Sequence, residues 1–208
     1  MMPKEADTIL ETTGSHFKQI HNIADDIEQM LKTQISNENI VETKELYSTD
    51  TSIPQMFFNE LRYQQLNVIY PNILWSSLFF TAYANLESSL DLLSDYYFVI
   101  KNLSKSPKDL KERGIKRSEK YLTKFAGLKF PDDTNDWKSI NKVSRIRHCL
   151  IHANGIVSQS NHSKEINNVV KQYPEIIIDN DHIIITKNFV NLFTSWCEKL
   201  LLSVQLHN

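Results

Sequence analysis

Residues 72–102 read NILWSSLFFTAYANLESSLDLLSDYYFVIKN, and this stretch decides the fold. Leu74, Leu78, Phe79, Tyr83, Leu86, Leu90, Leu93 and Tyr97 recur at helical spacing and leave little of the circumference polar. A helix that is apolar on most sides belongs at the centre of a bundle. Trp75 reads as core for the same reason. Glu87, Asp91 and Asp95 interrupt the longest apolar run, Ile73–Ile100, and a charge at each of these depths argues against a membrane span.

Working outward, Pro54 marks the start of a preceding helix, which Met56, Phe57, Leu61 and Leu66 carry to about Ile69. Ile20, Ile23, Ile27, Met30 and Leu31 predict an amphipathic helix over Asp7–Thr33. Residues 1–50 hold ten acids against four bases, and read as an acidic helical extension to a core of residues 55–205. On the other side, Lys101–Lys124 holds nine bases against three acids, with Pro107 opening a helix and Gly127 closing the region. Pro131-Asp132 begins a connection, and Asp133, Thr134 and Asn135 are alternative N-caps for a helix ending near Gly155. Residues 158–173 are polar and hold a short helix or a loop. Two β-branched runs, Glu175–Asp179 and His182–Thr186, flank Asn180-Asp181 and predict a hairpin. Phe189–Leu206 returns to helical spacing, with Trp196, Leu200 and Leu201 as core or dimer-interface residues. The expected fold is therefore mainly α: one domain over residues 1–208, an up-and-down helical bundle with a small β-hairpin before the C-terminal helix.

The chain is long enough for one sizeable core, with 208 residues of which 41% are hydrophobic. Four Gly and six Pro favour helices over long irregular stretches. A net charge of −2 argues against a protein that coats nucleic acid over its whole surface, and leaves room for a local basic groove. Cys149 and Cys197 are the only cysteines, too few for a disulfide framework or an all-Cys zinc site. Met1–Leu10 carries acids and no apolar run, unlike a secretory signal. A reducing cytoplasm is the expected setting.

The chemistry concentrates in residues 139–155, SINKVSRIRHCLIHANG. Near the end of the predicted helix, Arg147 is followed directly by His148, and four residues separate Arg147 from His152. This resembles the signature of the HEPN superfamily: an Arg, commonly a polar residue next, then a His after four to six intervening positions. The resemblance covers residues 55–205 in architecture and about six residues in motif. It implies an up-and-down helical bundle that dimerises, and an RNase of the kind found in prokaryotic toxin–antitoxin, phage-defence and CRISPR systems. RNA supplies its own nucleophile, the 2′-OH, so neither metal nor cofactor is required. An imidazole near neutral pKa transfers the proton. A guanidinium grips non-bridging phosphate oxygens through paired donors and stabilises the pentavalent transition state. The resemblance thus casts Arg147 as phosphate ligand and His152 as acid or base, with His148 in support. The negative end of the helix dipole near His152 would favour its protonated form. Several family members carry an acid on an earlier helix that orients the motif Arg, and Glu87 is the candidate. Its alternative is a solvated stripe with Asp91 and Asp95.

On an ideal helix Arg147 and His152 point about 140° apart. Val143, Ile146, Leu150 and Ala153 form the expected buried stripe, with the His148/His152 face opposite. A composite site is therefore more natural across a two-fold homodimer. Lys116, Arg117, Lys120, Arg145 and Asn154 are the candidate RNA-binding residues, with Tyr121 and Phe125 as stacking faces. Asn154 stands where some family members carry a Tyr that a partner nucleotidyltransferase modifies; control by that route is in doubt, although another antitoxin protein remains open. His148 and His152 at i, i+4 also fit a metal pair, but no Glu follows His148 and no third ligand is evident. The rival readings are a non-catalytic HEPN-like module that binds a nucleotide or protein, exposed histidines with no role, and an unrelated helical interaction protein.

Overall fold

The structure, a computed structural model, describes residues 3–37 and 53–205. Its helices are α1 (Pro3–Asn37), α2 (Ile53–Gln64), α3 (Tyr70–Ile100), α4 (Ile115–Lys124), α5 (Asn135–His152), α6 (Ser163–Gln172) and α7 (Lys187–Gln205). Strands β1 (Ile176–Asp179) and β2 (His182–Ile185) pair antiparallel just before α7. The mainly α bundle with a hairpin ahead of the last helix is thus the observed architecture. Residues 38–50 of the acidic segment, the side chain of Met56 and the expected helix end at Leu206 lie outside the described residues.

The central role of α3 follows from its sequence. Phe79, Ala82, Leu86 and Leu90 are fully buried, with α1 packed on one flank and α7 on another. Phe79 meets Phe189 and Phe193 edge-on at 5.3 and 5.0 Å between ring centroids, and Tyr83 stacks on Phe193 at 5.8 Å. Such ring pairs add about 0.5–1.5 kcal/mol each beyond the area they bury. They lock the middle of α3 in place, where Tyr83 and Glu87 sit.

The N-terminal helix is not an extension to a 55–205 core. Leu10, Phe17, Ile20, Ala24 and Leu31 of α1 are buried in the same cluster as α3 and α7. Thr13 and Ser89 share a buried 2.6 Å hydrogen bond between α1 and α3. Lys187, at the start of α7, holds Asp25 and Glu28 at 2.6 and 2.9 Å. The acid excess describes the segment's composition, whereas burial depends on one stripe of it. That stripe runs through Phe17 and Ala24, leaving Ile23 and Met30 exposed.

Two boundaries differ from expectation. α2 and α3 are joined without a loop by one widened helical turn, Gln65–Ile69, in which the Tyr70 N–H reaches the Gln65 carbonyl. Pro71 has no N–H and its ring crowds the carbonyl four residues back, and widening the turn relieves both. Pro107 opens only a single tight turn, Pro107–Asp109, capped by Ser106. Leu110 is then extended, and the following helix waits until Ile115, after Gly114 at φ 58°.

Candidate functional site

Helix α5 starts at Thr134, whose hydroxyl accepts from the Trp137 N–H, which decides among the three possible caps. Its buried stripe is Trp137, Ile140, Val143, Ile146 and Cys149, with Ala153 just beyond the helix end. Cys149 takes the central place expected for Leu150, which packs at the margin. The helix closes with Asn154 and Gly155 in left-handed conformation and the Gly155 N–H on the Cys149 carbonyl. Gly155 then accepts from the Ile183 N–H, so the hairpin pins the end of the motif helix. Asn180 and Asp181, both at positive φ, make the tight turn that this hairpin needs.

Arg147 projects toward α3. Its guanidinium lies 4.7 Å above the Tyr83 ring, and Nη2 is 3.9 Å from Glu87 Oε2. The expected Glu87–Arg147 contact is therefore present, as an ion pair beyond hydrogen-bond length. Arg147 Nε is buried with no hydrogen-bond partner. Burial pushes the Tyr83 hydroxyl up to about 12, so it stays protonated beside this pair. Tyr83, Glu87 and Arg147 line a cleft of about 450 Å³ with Arg113, Gly114 and Arg145. Gly114 sits there at φ 58°, a conformation that residues with a side chain rarely adopt, and a Cβ on it would lie 3.2 Å from Glu87 Oε1.

His148 and His152 do not line this cleft. They are exposed on another face of α5, with ring centroids 4.5 Å apart. His162 joins them, edge-on to His148 at 5.5 Å, with its Nδ1 3.9 Å from Glu165 Oε1. The water that the His148 ring loses to its surroundings, and then the like charge of His152, His162, Arg145 and Arg147, hold its pKa below the ordinary imidazole value. Exposed Ile151 lies one turn on from Arg147, between the two groups. Among the described residues, no group of three or more His, Cys, Asp or Glu side chains is placed to hold a metal ion. No described helix is long and apolar enough to cross a membrane.

The basic stretch does not form a free stripe. Lys116 pairs with Glu119 at 2.8 Å and lies over the Trp137 ring. Arg117 pairs with Asp91, which also accepts from the Ser118 hydroxyl, and Lys120 pairs with Glu112. The acids of α3 therefore divide: Glu87 to Arg147, Asp91 to Arg117, while Asp95 is exposed. Tyr121 is buried, stacked on Phe125, and its hydroxyl donates to the Lys105 carbonyl, so it offers no face for a base. Asn154 borders a separate cavity beside Ile73, Phe80 and His182. Of the five RNA-binding candidates, only Lys116 and Arg145 line the Arg147 cleft. Arg113 and His162 escaped the sequence reading, because only the turn at Gly114 and the packing of α6 bring them to the motif helix.

No protein-family model, curated protein or solved structure matches the chain.

Proposed function

We propose that this protein is a metal-independent endoribonuclease of the HEPN type. One observation carries the reading: Arg147 is held by Glu87 and Tyr83 at the wall of an arginine-rich cleft, on the helix that also presents two adjacent imidazoles. Arg147 would hold the scissile phosphate. His148, neutral at neutral pH, suits a base that takes the 2′-OH proton, and His152 would deliver a proton to the leaving 5′-oxygen. The product is a cyclic phosphate. Because the imidazoles lie outside the cleft of their own Arg147, the active unit is a two-fold dimer. Exposed Ile151 and Ile73 offer apolar area near the motif for that contact. The setting we propose is cytoplasmic, in prokaryotic defence or growth arrest, with an antitoxin protein as partner.

Purified protein should cut RNA in EDTA, and a 2′-O-methyl group at the cut site should abolish cleavage. Intact RNA after prolonged incubation of the dimer with varied substrates overturns the reading. A second reading, a non-catalytic module of the same type that binds a nucleotide or a protein, is favoured by the absence of His148 and His152 from the cleft lining. It expects ligand binding without cleavage.

A further inference from the structure

We propose that Arg113 is a second phosphate ligand of the Arg147 cleft, so that the ligand carries two neighbouring phosphate groups. This rests on the reading of Arg147 as a phosphate ligand and adds a residue outside its motif. The bases near the cleft fall into two kinds. Lys116, Arg117, Lys120 and Arg147 each have a carboxylate partner. Arg113 and Arg145 are exposed, and neither has an ion pair or a side-chain hydrogen bond among the described residues. Carboxylates are not scarce, since the chain has 25 acids for 23 bases. Yet among the described residues the only carboxylate lining this cleft is Glu87, which is already engaged with Arg147.

Three guanidiniums that border one cavity with one carboxylate repel one another until an anion neutralises them. Each is a planar fork that grips two phosphate oxygens. The cavity, about 450 Å³, falls within the usual range for small-molecule sites and exceeds what one phosphate fills. Ser144 and Asn141 also line it. The Asn141 amide donates one N–H to the Trp137 carbonyl, which leaves a second N–H and the amide oxygen for a ligand. Arg113 reaches this wall because the chain turns at Gly114, where φ is 58°. A nucleotide with two phosphates, or two successive phosphates of an RNA strand, matches this distribution of donors.

The test is fluorescence anisotropy on the full chain, with a labelled, uncleavable 2′-O-methyl RNA as probe and ADP as competitor. Arg113→Ala and Arg113→Glu are compared with Lys164→Ala, an exposed base on α6. Arg113→Ala should weaken RNA binding about tenfold and flatten the slope of log K against log salt by about 0.7, the share of one single-strand phosphate contact. Arg113→Glu should weaken it further, with circular dichroism unchanged. Displacement by ADP assigns a free nucleotide; Arg113-dependent RNA binding that ADP does not displace assigns a strand, and both support the subsite. Variants of Arg113 that bind like Lys164→Ala, with the wild-type salt slope, overturn it. If those variants also cut RNA normally, the subsite falls while the nuclease stands. If binding depends on Arg113 and no RNA is cut, the nuclease falls while the subsite stands.

Discussion

Arg147 and His148 are consecutive in the chain, yet they belong to two differently built regions. The Arg147 side is assembled by the fold itself: an aromatic ring beneath the guanidinium, a carboxylate beside it, and about a third of the side chain exposed. The histidine side is open. His148 and His152 are exposed, their rings touch each other, His148 also meets His162, and neither makes a side-chain hydrogen bond among the described residues. The lesson is that one short motif can be half preorganised. The proposed reaction needs both groups oriented, and within one chain the side-chain contacts that orient a group are found on the arginine.

The largest test of this contrast is His152→Ala. The exposed ring can be removed with a stability change within about 0.5 kcal/mol. If His152 serves as the proposed general acid, its loss should lower cleavage on the order of a hundred- to ten-thousand-fold. RNA affinity should stay near wild type, whereas Arg147→Ala should lose it. Cleavage by His152→Ala at the wild-type rate would show that the imidazole face takes no part.

Gly114→Ala probes the other side. At φ 58° and ψ −150° the backbone occupies a region reserved for glycine, and an alanine there costs about 1–3 kcal/mol. Its Cβ also meets Glu87 Oε1 at 3.2 Å, so the strain falls on the partner of Arg147. The melting temperature should fall by roughly 2–4 °C per kcal/mol, with RNA binding weakened and the histidine resonances unmoved. Histidine shifts as large as those around Glu87 would mean that the two regions are mechanically one.

Glu87→Gln is milder. The pair is 3.9 Å apart and about a third exposed, so its loss should cost no more than about 1 kcal/mol, read by chemical denaturation. A loss well above that would mean that Glu87 does more than steady the guanidinium.

How much of this was legible in the sequence differs between fold and site. The central helix was, because burying Phe79, Leu86 and Leu90 needs only a period of 3.6. The hairpin was too, since Asn180-Asp181 tolerates the positive φ its turn demands. The pairing of Glu87 with Arg147 was open: the cost of burying a carboxylate asks for some cation, only the family resemblance named Arg147, and a solvated stripe with Asp91 and Asp95 read equally well. The neutralisation of Lys116, Arg117 and Lys120 could not, because it depends on where Glu119, Asp91 and Glu112 fall in space. Charge counts along a segment do not reveal which bases are already spoken for. The place of α1 was missed for the same reason.

The smallest expected effect concerns pH and tests the proposed part of His148 as a base. Displaced water acts first on His148, then the charges of His152 and His162, and all hold its pKa below the ordinary value of about 6.5. Between the lowered value and 6.5 the unfolded chain binds more protons than the folded one. The contribution of His148 to stability is therefore fully present above 6.5 and is lost as pH falls through that window. The same shift places the acid limb of kcat/KM below 6.5 if His148 is the base. An NMR titration of the imidazole C2–H resonances reads it directly. His162→Gln should raise the His148 midpoint slightly, since it removes only one of the like charges, and His152→Ala should raise it more. A wild-type His148 midpoint at or above 6.5 would remove the ground for proposing His148 as a base that is neutral at neutral pH.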